Sequence, residues 1–294
     1  MLELEINKKQ SLLVPSEFKE VPVSLGIQLI NYSQKENITE NDKIVILSTL
    51  SGLEPEVFLK MLPETIDNIY DSLHFLKKEE QQIEFYKTFK LNKVHYGMVD
   101  FDNLTVHEYS DLQFYLDNGD FPTDNIDKLM CILFRPIIKK KHSLKNILKN
   151  IILTLKHRNF IPKIYDSYEI SEYSEKDLNR SELFGHKLTM GFALAAFSIM
   201  IQYREDLLKQ FSFKQEVPEE DKDQYDDPSI TKEPSKSFEQ IWGLYHIIAT
   251  LSNSLDEREK WLKKPIKEFL NYLAYNNQKI QMENERAKAN QINS

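Results

Sequence analysis

The stretch Leu188-Thr189-Met190-Gly191-Phe192-Ala193-Leu194-Ala195-Ala196-Phe197-Ser198-Ile199-Met200-Ile201 is the most apolar in the chain, and its reading decides the fold. It is 14 residues long and carries Thr189, Gly191 and Ser198. Spanning a bilayer takes about 20 predominantly apolar residues, so this segment is expected to be a helix buried in a protein core. The hydrophobic content of 41% and aromatic content of 11% can support such a core. A chain of 294 residues makes one large or two ordinary domains. The N-terminus, Met1 to Ile6, lacks the basic and apolar regions of a secretory signal, so a cytosolic site of synthesis and action is expected, without membrane insertion.

Working outward, most of the chain repeats a helical period. Ile66, Ile69, Tyr70, Leu73 and Leu76 form an i, i+3, i+4, i+7 stripe behind Pro63. Leu144, Ile147, Leu148, Ile151, Ile152 and Leu155 place one apolar face on a helix over 143–156. Pro22 and Pro55 stand where helix-opening prolines stand. Asn41-Asp42 is expected to cap a helix over 43–50 that stops at Gly52, and Thr105-x-x-Glu108 reads as a capping box. The helix that box begins should stop at Gly119 in a left-handed turn. Helices are also expected over 126–134, 175–184, 187–211, 238–251 and from 265 onward.

Period-two alternation is confined to a few places. Leu2, Leu4 and Ile6 predict an N-terminal strand pair with 12–14. Phe85, Phe89, Val94, Tyr96 and Met98 predict a hairpin near 84–98, turning around Leu91-Asn92, and 165–170 reads as a further strand. The expected fold is therefore mainly α, a helical bundle with minor β elements. Residues 216–236 hold eight acidic and three basic residues and little apolar content, which predicts a disordered linker over 214–237. The organisation expected is a helical body over 1–213, that linker, and a helical unit over 238–294 ending in a polar helix.

Residues able to run a reaction are hard to assemble. No G-x-G-x-x-G, G-x-x-x-x-G-K-[ST] or G-x-S-x-G pattern occurs. The seven histidines, His74, His95, His107, His142, His157, His186 and His246, include no i, i+3 or i+4 pair to hold a metal. Cys131, the one cysteine, lies in the apolar run 129–134, where a thiol is hard to ionise. The paired carboxylates Glu219-Glu220 and Asp226-Asp227 fall in the linker, where nothing rigid would space them. No cofactor, metal or catalytic residue is expected, and the chain is read as a non-enzyme.

Surface features remain for function. The basic run Lys139-Lys140-Lys141-His142 continues into Lys145, Lys149 and Lys156 beside the apolar stripe. It reads as an ordinary solvated face, or as a contact for phosphates, an acidic partner or the acidic linker. A net charge of −8 disfavours general nucleic-acid binding. Large anchors in the C-terminal segment, Trp242, Tyr245, Trp261, Tyr272 and Tyr275, join the three lysines as candidate partner-binding residues.

Several stretches taken in order carry a family resemblance. They are 43–52 with the Leu62-Pro63 helix, Asp100-Phe101-Asp102-Asn103-Leu104-Thr105-Val106-His107-Glu108-Tyr109-Ser110-Asp111-Leu112, and Lys128-Leu129-Met130-Cys131-Ile132-Leu133-Phe134-Arg135-Pro136-Ile137. Arg180-Ser181-Glu182-Leu183-Phe184, the small-residue helix 190–201 and residues 266–279 complete them. Together they resemble structural or assembly proteins of tailed bacteriophages of Bacteroidota, including tail-assembly-chaperone-like and baseplate-related proteins and the crAss-like group. Residues 139–163 and 214–237 stand outside the resemblance and read as insertions. It implies an assembly chaperone that binds other phage tail or capsid proteins in the host cytoplasm. The alternative it implies is a structural component of the virion: a ring, connector or packaged protein, with homo-oligomers as a further expectation. It transfers no active-site residue.

Overall fold

The computed structural model describes residues 2–7, 10–33, 35, 37–76, 85–156, 160–211 and 238–292. The fold is mainly α with minor β elements. Strands β1 (Leu2–Asn7) and β2 (Gln10–Val14) pair antiparallel. Helices α1 (Val23–Ser33), α2 (Glu40–Ser51), α3 (Pro55–Leu59) and α4 (Pro63–Ser72) follow. Next come β3 (Thr88–Leu91), β4 (Val94–Met98), α5 (Val106–Asp117), α6 (Ile126–Leu133), β5 (Phe134–Lys141), α7 (Leu144–Lys156), β6 (Ile161–Pro162) and β7 (Ser167–Ile170). Helices α8 (Ser181–Lys187), α9 (Met190–Gln210), α10 (Phe238–Leu251), α11 (Leu255–Leu262) and α12 (Ile266–Ile292) complete the order. Among the described residues no helix is long and apolar enough to cross a membrane.

The chain forms two compact units, Met1–Val99 with Tyr115–Met200, and Asp100–Phe114 with Ile201–Ser294. The second unit thus draws residues 100–114 out of the segment that sequence groups into one body over 1–213. The acidic tract over 214–237 lies outside the described residues.

The first unit is organised by an antiparallel sheet in the order β6-β3-β4-β5-β7. Sequence predicted the β3–β4 hairpin, whose two-residue turn is Asn92-Lys93, both at positive φ, one residue later than expected. The other strands are added by long-range pairing: Tyr96 faces Pro136, Phe89 faces Pro162, and Lys140 faces Tyr168. The predicted hairpin is thus the centre of a five-stranded sheet. The lysine run 139–141, read as the start of an insertion, is the end of a strand between two others.

Alternation divides the sheet into two unlike faces. One carries Phe89, Leu91, Tyr96, Met98 and Phe134, all buried. Phe89 is the hub of this face, with ring centroids of Tyr96, Phe134, Phe160, Phe184 and Phe192 all within 6.0 Å. Phe184 comes from α8 and Phe192 from the small-residue start of α9, so the stretch 188–201 begins as the buried core helix expected. Helix α6 is buried at Ile126 and from Leu129 to Leu133, with Cys131 fully covered. Burial pushes the Cys131 thiol up to about 12, which keeps it protonated.

The opposite face carries Lys90, His95 and Gly97. At Gly97 the ring of Tyr168 occupies the place of a side chain: a Cβ there would lie 2.5 Å from Tyr168 Cε2. The tyrosine is pinned by its hydroxyl, which donates to the Met98 carbonyl at 3.0 Å.

Local signals were met unevenly. Pro55 and Pro63 open α3 and α4, and Gly52 closes α2 at φ +68°. The cap of α2 is Thr39, not Asn41-Asp42: Thr39 and Asp42 make a reciprocal capping box, which starts the helix earlier. Gly119 is not in the left-handed region. The end of α5 is closed instead by the Asn125 carboxamide, which donates to the carbonyls of Tyr115 and Asn118.

In the second unit the box Thr105-x-x-Glu108 forms as read, the Thr105 amide and hydroxyl both donating to Glu108 Oε2 at 2.7 Å. This start of α5 is stitched to the start of α12: the Val106 amide donates to Lys264 O, and the Ile266 amide donates to Leu104 O. Phe101 stacks on Tyr203 at 4.6 Å, and Ile248, Ile266 and Phe269 are buried.

Phe89→Ala removes the ring on which five others converge. Large-to-small changes of this kind cost about 3–5 kcal/mol, and a loss of that size is expected in urea unfolding, against near-neutral behaviour for a surface change such as Glu64→Ala.

Candidate functional site

The feature of the first unit that packing does not explain is α7. Its sequence alternates an aliphatic stripe with a line of polar residues, Asn146, Asn150 and Thr154, at i, i+4 and i+8. A surface helix ordinarily turns its apolar stripe inward. Here the polar line is the attached one. Asn150 is buried and clamps the backbone of Ile164 from both sides: its Nδ2 donates to Ile164 O at 2.9 Å, and the Ile164 amide donates to its Oδ1 at 2.7 Å. Asn146 Nδ2 donates to Asp166 Oδ1 at 2.8 Å, as does the Ser143 hydroxyl at 3.1 Å. Lys163 Nζ donates to Thr154 Oγ1 at 2.6 Å.

The consequence is an apolar ridge in solvent. Leu144 and Leu155 are each 82% exposed, Leu148 and Ile152 each 65%, Ile151 53% and Ile147 43%. Monomeric proteins seldom leave such a row uncovered. Between the ridge and the sheet runs a groove of about 340 Å³, walled by Ile147, Ile151 and Leu155 on one side and by His95, His142 and Tyr165 on the other.

The groove is electropositive. From Lys128 to Tyr165 the chain has ten lysines and arginines and no acidic residue. Burial first, and then the charges of Lys140, Lys90, Lys163 and His142, push His95 down to about 4, so its ring is neutral near pH 7. Burial holds the Tyr165 hydroxyl up at about 12. The two form a consistent pair, the protonated phenol hydrogen-bonded to Nδ1 of the neutral imidazole. Lys140 Nζ stands 5.6 Å from the Tyr165 ring centroid, and the His142 ring 5.0 Å from it. Lys140 and Lys163 are both lowered, by burial first and then by neighbouring lysines.

The candidates read from sequence fall in both units. Lys145 and Lys149 lie exposed on α7 in the first unit. The Lys156 and Trp242 side chains lie outside what is described. In the second unit Tyr245 donates to the Asp111 carboxylate at 3.0 Å, and Trp261 packs on Phe269 and Tyr272. Tyr272 is 39% exposed and Tyr275 65%. Sequence reasoning missed His95, Asn150 and Tyr165, which come from three separate segments, and placed His142 and Lys163 only in the basic cluster. The polar line on α7 and the acid-free run around it were the available signals. Among the described residues no group of three His, Cys, Asp or Glu side chains is placed to hold a metal ion.

Compared with protein-family models, curated proteins and solved structures, the chain matches none. The site is therefore read from its own geometry: it offers apolar surface, positive charge and a neutral His–Tyr pair.

The depressed His95 gives a signed pH effect. The unfolded chain takes up a proton at His95 near 6.5, the folded chain only near 4. Stability from this group is thus full above 6.5 and falls with pH until about 4. His95→Gln should melt with a shallower loss of Tm between pH 7 and pH 4 than the parent chain, measured side by side.

Proposed function

We propose that the chain is a non-enzymatic assembly protein that works by binding another protein, most simply as a tail or virion assembly chaperone of a tailed phage. The observation that carries this reading is the outward apolar ridge of α7. Six aliphatic side chains in water are a holding surface for a partner that itself has apolar surface to hide. A chaperone must release its client as well as bind it. A ridge confined to one helix, with charged residues close by, suits a contact of moderate size better than a permanent interface. The phage assignment rests on the sequence resemblance, and the holding role on the ridge.

Co-expression of the full chain with individual tail proteins of the same phage tests both. The expected result is a several-fold gain in the soluble yield of one tail protein, lost with Ile151→Asp plus Leu155→Asp, and absence of the chain from purified particles by mass spectrometry. Stoichiometric presence in particles would replace the chaperone with a structural virion component. No gain with any tail protein, and no complex on gel filtration, would overturn the binding reading.

A further inference from the structure

We propose that the element bound on α7 is an acidic amphipathic helix of the partner. This deepens the protein-binding reading and rests on it.

The spacing of the ridge points to a helix. Leu144, Leu148, Ile151 and Leu155 follow one another at intervals of four, three and four, the seam that lets a second helix pack at a shallow angle with side chains interdigitated. The seam covers about 16 Å at 1.5 Å per residue, which matches a partner helix of three to four turns. The groove beside it receives the side chains of that helix on the sheet side. A flat lipid surface would leave the groove unfilled. The ridge itself is wholly aliphatic, without the tryptophan or tyrosine that membrane-interface helices favour.

Charge selects the partner's polar flanks. Lys145 and Lys149 lie along one side of the seam, and Lys140 and His142 stand across the groove on the other. No acidic side chain is contributed by α7. Carboxylates along the edges of an incoming helix would therefore meet Lys145 and Lys149 on one side and Lys140 on the other, the Asp166 carboxylate being taken up by Asn146 and Ser143. The same logic excludes a second copy of α7, whose lysines would face these lysines. It also excludes the chain's own tract over 216–236. That tract has a net charge of −5 but only Val217, Tyr225 and Ile230 as large apolar residues, interrupted by Pro218, Pro228 and Pro234. It can answer the charge and not the ridge.

The test uses the full chain and fluorescein-labelled helical peptides of about 15 residues. One carries leucines at four-three-four spacing with glutamates on the flanks; a second has lysine for every glutamate; a third is the first with its order scrambled. Anisotropy should show the glutamate peptide binding at least ~10-fold tighter than either control, weakening as salt is raised. Ile151→Asp should reduce binding by about tenfold or more, and Lys145→Glu with Lys149→Glu should reverse the preference between glutamate and lysine peptides. All these positions are exposed, so circular dichroism melts should be unchanged.

Equal binding of the scrambled peptide, equal binding of the lysine peptide, or no binding of the glutamate peptide would overturn the proposal. So would co-sedimentation with phosphatidylcholine–phosphatidylglycerol vesicles that Ile151→Asp abolishes, which would assign the ridge to lipid. If peptides fail while a tail protein is still held through Ile151 and Leu155, the binding function stands and the helical acidic partner falls.

Discussion

The first unit depends on a single aromatic ring. Phe89 lies at the centre of the sheet's packed face, and rings from β4, β5, α8, α9 and the segment before β6 meet around it. Aromatic pairs at these separations add about 0.5–1.5 kcal/mol each beyond the area they bury. More to the point, they fix register. A strand whose residues alternate between two faces cannot slip by one position without turning its aromatic side chains out of this cluster. With Phe89, Tyr96 and Phe134 committed inward, Lys90, His95 and Arg135 must share the other side.

That division explains why the second face of the sheet is chemically different. It is too polar to serve as another core: the Tyr168 ring lies over Gly97, and α7 attaches on the β6 side through amides and a hydroxyl. Hydrogen bonds to backbone are directional and local, so they fix the rotation of α7 as well as its position. A helix docked by apolar burial alone could roll until its stripe was covered. The Asn150 clamp on Ile164 blocks that rotation and holds the aliphatic row outward. The electropositive surroundings follow from the same arrangement, because strand ends bearing Lys90 and Lys140 converge beside Lys163.

The legible parts of the fold were those set by near neighbours. The prolines at 55 and 63, Gly52, the Thr105–Glu108 box and the hairpin at 88–98 are local events, and their residues announce them. Strand β5 was hidden because Arg135-Pro136 reads as a helix stop and three lysines read as solvent-facing chain. Its strand character comes from β4 and β7, more than 25 residues away on each side, as the pairings Tyr96–Pro136 and Lys140–Tyr168 record. Proline inside a run also weakens a strand reading. The start of α2 and the end of α5 were missed for a related reason: a capping residue competes with several plausible neighbours, and Asn125 acts from seven residues beyond the carbonyl it serves. Of the site, the ridge and the lysines were visible in sequence. The direction in which the ridge points was not, since an amphipathic pattern is silent about which of its faces the rest of the chain will claim.

Helix α6 ends at Leu133 and strand β5 begins at Phe134, with no residue between them. The Arg180 guanidinium spans this joint, donating to the carbonyls of Cys131 and Phe134. A joint without slack couples two periodicities, one of 3.6 and one of 2, so helix rotation and strand facing are set together. Adding or deleting one residue there would exchange Phe134 for Arg135 on the packed side. The far end of β5 is held separately, by pairing of Lys139, Lys140 and Lys141 with β7. A one-residue change of length at the joint would therefore be felt at once in the aromatic cluster, through Phe134, and in the hydrogen bonds that Arg180 makes across it.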